Sequence, residues 1–163
     1  MHGFARTVAL TLALITLGCS EAPPPPPPAP PFRAVLDLKQ FMLLVIDPAA
    51  DGVWDSVKTI VTNKGTQEIA PKTDDDWKKV ESSAATVAEA ANLLMLDGRA
   101  KDAKDWMAAA RRLTDSAEQA LKAARAKDPA AVFDAGGVMY EACRGCHRRY
   151  APEFDTATEA AKK

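Results

Sequence analysis

Histidine is nearly missing from this chain, with two in 163 residues, His2 and His147. Cysteine is almost as scarce at three, and aromatic residues make up 6%. Lys and Arg number 21 against 22 Asp and Glu, a formal charge of −1. No basic surplus exists to neutralise phosphates, so nucleic-acid binding loses its main driving force. The one long apolar run, residues 8–17, is about half of what a membrane-spanning helix needs.

Proline is unevenly placed. Of the 12 in the chain, 8 fall between Pro23 and Pro31, leaving Pro48, Pro71, Pro129 and Pro152 for the rest. Upstream, Arg6 followed by the short apolar run and small residues reads as a secretory signal over residues 1–18. Cleavage at Ser20-Glu21-Ala22 would put Pro23 just after the cut, a poor peptidase substrate. Thr16-Leu17-Gly18-Cys19 resembles a bacterial lipoprotein box, so Cys19 is expected to be the lipidated N-terminus, in the periplasm and anchored to the outer membrane. Residues 19–31 then form the anchor and an extended polyproline II tether of roughly 30 Å. The remaining 132 residues, 32–163, suffice for one domain and no more.

That domain reads as all-α. It has 27 alanines and few β-branched residues, no evident strand alternation, and prolines only where helices could begin or end. Leu38, Phe41, Met42 and Val45 form one apolar stripe. Asp47-Pro48 then predicts a cap and a kinked or split first helix that carries Val53, Trp54, Val57, Ile60 and Val61 as far as Asn63-Lys64-Gly65. Thr73 is the next predicted cap, with Asp74 to Asp76 at the positive helix end and a stripe from Trp77 to Leu94, ended by Asp97-Gly98. A third helix is expected over residues 99–127, and Asp128-Pro129 opens a fourth through Val132, Met139 and Cys143. The short connections favour an antiparallel up-down-up-down four-helix bundle.

The chemistry sits in Cys143-Arg144-Gly145-Cys146-His147. Two cysteines three apart on a helix face one side and can form thioethers with two vinyl groups of a haem, while the adjacent histidine presents its imidazole to the iron. Gly145 is expected to leave room for the porphyrin. A structural zinc site would need a fourth ligand that the sequence does not offer. A redox dithiol belongs at the start of a helix after a strand, and a disulfide inside one helix turn would staple nothing distant. The cofactor expected is one covalent haem c, with Cys143, Cys146 and His147 as its binding residues.

A helical bundle with a single C-x-x-C-H near its C-terminus resembles the class II c-type cytochromes, the cytochrome c-prime family, over about residues 34–150. Tyr150, three residues after His147, matches an aromatic common there, whereas Ala151 stands where the family usually has a basic residue. Arg148 and Arg149 could substitute for it or balance the haem propionates. The resemblance implies a carrier of single electrons rather than an enzyme, and in low-spin members the distal iron ligand is a methionine of the first helix, here Met42. With His2 removed with the signal, bis-histidine ligation is excluded. In antiparallel order Met42, Met95 and Met107 share the haem end, while Met139 lies one turn before Cys143 on the helix of His147. An open distal side lined by Leu38, Phe41 and Val45 would instead suit nitric oxide or carbon monoxide, and a haem-free lipoprotein interaction module is the third reading. Periplasmic or membrane redox proteins are the expected partners, with a homodimer possible through the first helices. Charges over residues 74–79 and 97–105 read as solvated helix surface.

Overall fold

In the computed structural model, which describes residues 32–153, each long helix begins where a side chain satisfies its first amides. Helix α3 (Asp74–Leu93) is closed by a reciprocal box: Thr73 Oγ1 accepts from the Asp76 amide at 3.1 Å, and the Asp76 carboxylate accepts from the Thr73 amide at 3.1 Å. Helix α5 (Pro129–Tyr150) starts from Asp128, whose side chain accepts from the Ala131 amide at 3.1 Å. Both caps are where the sequence predicts them. Thr73→Ala is expected to lower the unfolding free energy by about 1 kcal/mol, readable by urea denaturation.

Two expectations for the first half of the domain are overturned. Asp47 is not a cap, because its backbone is helical and the chain runs unbroken from α1 (Leu38–Phe41) through a π-helical stretch, Met42–Ile46, into α2 (Asp47–Trp54). Pro48 has no N–H, and its ring would strike the carbonyl four residues earlier in a regular α-helix. The π stretch relieves that conflict: the Asp47 amide bonds to the Met42 carbonyl, five residues back. Asp37 and Gln40 cap the start of α1 by a second reciprocal box.

Helix α2 then ends at Trp54, and residues expected to continue it form an antiparallel hairpin, β1 (Lys58–Thr62) and β2 (Gly65–Ile69), with Thr62 opposite Gly65. The run Thr59-Ile60-Val61-Thr62 is β-branched throughout and favours a strand. Asn63-Lys64 makes the turn, and Gly65 at φ 130° takes a conformation that side-chain-bearing residues rarely adopt. Val61 is 74% exposed, so the apolar spacing over Ile60 and Val61 marks no core.

The fold is therefore mostly helical with one small sheet. Helix α3 packs on α4 (Asp105–Arg125), α4 on α5, and α2 on both α3 and α5. At one end Lys127 pairs with Asp74 at 2.6 Å and Arg125 with Glu81 at 3.1 Å, joining the end of α4 to the start of α3. At the other, Trp106 Nε1 donates to the Leu94 carbonyl at 2.7 Å. Large residues such as Val53, Trp77, Val87, Leu113 and Met139 fill the core between buried alanines on α3, α4 and α5, whose small side chains let the helices approach closely. Closest of all is Gly52 on α2, where a Cβ would lie 2.2 Å from Ser83 Oγ and 3.0 Å from Ser83 Cβ. Gly52→Val is expected to cost about 1–3 kcal/mol through overpacking, again measurable by denaturant titration.

Candidate functional site

The last two turns of α5 carry Cys143, Cys146 and His147, spaced so that all three project toward one side of the helix. Each is partly buried, and both cysteines are free thiols that pack against the hydrophobic core. Burial pushes the Cys143 thiol up to about 11, with the neighbouring Cys146 and the Asp47 carboxylate adding to the effect. Cys146 is raised by the same desolvation, partly opposed by Arg112. These are protected thiols, the reverse of the low-pKa thiolates that redox dithiols use. Among the described residues no group of three or more His, Cys, Asp or Glu is placed to hold a metal ion by itself. Gly145 lies two residues from Cys143, about 200° round the helix, with open space beside it. It therefore clears no room on the side of the thiols.

Helix α2 and the π stretch run past this segment in the opposite direction. Trp54 Nε1 donates to the Gly136 carbonyl at 2.9 Å, and the Trp54 ring meets Tyr140 edge-on at 6.1 Å. Seven residues back along the first helix, Asp47 acts on Cys143, itself seven residues on from Gly136. Met42 lies five residues further back, at the start of the π stretch. Met42 is half-buried against the core, as are Met95 and Met107, whereas Met139 is fully buried. Trp54, Tyr140, Phe133 and Gly137 line a cleft of about 420 Å³ along the same face of α5, one turn before Cys143. Cys19, the signal and the tether lie outside the described residues.

The loop between α3 and α4 brings in residues that the sequence reading treats as solvated charge or as helix. Helix α4 starts at Asp105, six residues later than expected, because the Asp102 carboxylate accepts from the amides of Lys104 at 2.9 Å and Trp106 at 3.0 Å. The Tyr150 hydroxyl donates to the other oxygen of Asp102, and the Tyr150 ring packs edge-on against Trp106 at 4.9 Å. Arg149 pairs with Asp105 at 2.7 Å. Together these contacts fix the end of α5, and with it His147, against the start of α4. The Tyr150 hydroxyl first, then the backbone amides, hold the Asp102 carboxyl at about 2, below its ordinary 3.8. A depressed folded-state pKa stabilises the fold above the ordinary value and loses that contribution as the pH falls toward 2. Asp102→Asn is expected to flatten the acid-unfolding curve between about pH 4 and 2 relative to wild type, a difference circular dichroism would report.

Arg99, in the same loop, is 9% exposed. Its guanidinium lies 4.2 Å over the Phe41 ring, and one terminal nitrogen donates to the Leu93 carbonyl at 3.4 Å. Its Nε is buried and donates to nothing among the described residues. The residues fit a covalently held haem on two counts. Two free thiols and a histidine share one side of one helix, and a buried cation with no carboxylate partner among the described residues sits at the same end of the domain. No protein family, curated protein or solved structure matches the chain.

Proposed function

We propose that this chain is a monohaem c-type cytochrome of class II form, an up-down-up-down bundle exported to the periplasm, held there through Cys19, that carries one electron at a time. The observation that carries this reading is the set of Cys143, Cys146 and His147, each partly buried, on one side of the last two turns of α5. Bound haem supplies an iron that cycles between two oxidation states. Cys143 and Cys146 would hold it by thioethers, and His147 would bind the iron. Met42, on the first helix and packed against the same core, would be the second residue to hold the iron. A thioether ligand such as Met42 would favour the reduced state and so raise the reduction potential. With both His147 and Met42 on the iron, a small gas would find no open site.

The test is the spectrum and voltammetry of protein matured in a bacterial host competent for c-type haem attachment. A low-spin ferrous spectrum and one reversible one-electron wave are expected. A ferrous form that takes up carbon monoxide would replace electron transfer with the gas-binding reading.

A further inference from the structure

A guanidinium is always charged, and taking it out of water without a carboxylate partner is unfavourable. Arg99 does this: it is nine-tenths buried, its Nε donates to nothing among the described residues, and its charge is met there by one long bond to the Leu93 carbonyl and by the face of Phe41. Among the described residues no carboxylate pairs with it, Asp97 two residues away included. Asp102 takes two amides and the Tyr150 hydroxyl, and Asp105 takes Arg149. Asp47 lies on the side of Cys143. Packing explains the stem of Arg99 but not its charge, since a methionine would fill the same volume without the cost of desolvation.

Its position narrows the partner. Phe41, under the guanidinium, directly precedes Met42. Asp102, three residues after Arg99, is bound by Tyr150, three residues after His147. Arg99 thus occupies the end of the domain where the attachment helix terminates. We propose that Arg99 is the counter-charge for a carboxylate of the haem carried on Cys143 and Cys146. This rests on the haem reading above. The ion pair offsets the desolvation of the guanidinium, and the fixed positive charge near the haem favours the reduced state of the iron.

The experiment compares haem-loaded wild type with Arg99→Met, Arg99→Gln and Arg99→Lys, the second neutral variant guarding against misfolding of the first. The midpoint potential is expected to fall in both neutral variants and to return toward wild type in Arg99→Lys, with haem stoichiometry unchanged in all three. Neutral variants that keep the wild-type potential would overturn the role of Arg99 while leaving the haem reading intact. A wild-type potential that shifts with added phosphate or chloride while the neutral variants do not respond would assign Arg99 to a free anion instead. A wild-type chain that acquires no haem would fail the underlying reading itself, before any variant is compared.

Discussion

Cys143→Ser together with Cys146→Ser is expected to abolish covalent haem: one haem per chain in wild type, none in the double variant, read by haem-dependent peroxidase staining after denaturing electrophoresis. Thioether bonds survive denaturation, whereas coordination by His147 does not. Serine removes only the sulfur, and both thiols are only partly buried near the end of α5, so the helix itself should persist by circular dichroism. Each single variant keeps one attachment point and should retain stain while its ferrous absorption band shifts, because one vinyl group stays unsaturated. The loss should also lower thermal stability, since a group bound only by the native state contributes free energy to it. Stain retained by the double variant would remove the basis for assigning these cysteines.

Met42→Leu has the second largest expected effect, and it falls on the iron rather than on the fold. Leucine for methionine nearly conserves volume and costs under about 1.5 kcal/mol, and Met42 is only half-buried. The ferric sulfur-to-iron band should vanish, the iron should become high-spin, and the ferrous protein should take up carbon monoxide. The midpoint potential should fall, as expected when a thioether ligand is lost. A Met42→Leu variant that stays low-spin would move the ligand elsewhere, with Met95 and Met107, half-buried on the same core, the next candidates.

How far the sequence speaks for this protein depends on the range of the interaction concerned. Thr73 and Asp128 are legible as caps because their hydrogen bonds reach only three residues, to Asp76 and Ala131. The core stripe from Trp77 to Leu94 is legible because helical period alone sorts it. Asp47-Pro48 misleads: the same pair that usually opens a helix is absorbed here inside one, and the π stretch that permits this has no local signature. Ile60 and Val61 mislead because their spacing suits a helix, while the β-branching of residues 59–62 and the Asn63-Lys64-Gly65 turn decide for the hairpin. At the site, Cys143, Cys146 and His147 are adjacent in sequence and need no fold to be found. Arg99 and Asp102 acquire meaning only when Phe41 and Tyr150, 58 and 48 residues away, are packed against them. Their partners are invisible to any reading of local pattern.

The central claim is covalent attachment at the end of α5, and the most direct measurement is extraction of the purified wild-type protein with acidified organic solvent, followed by the visible spectrum of both phases. All of the haem absorbance should remain with the polypeptide, at one haem per chain. Colour that passes entirely into the solvent, or a protein with no haem band in either phase, would contradict it.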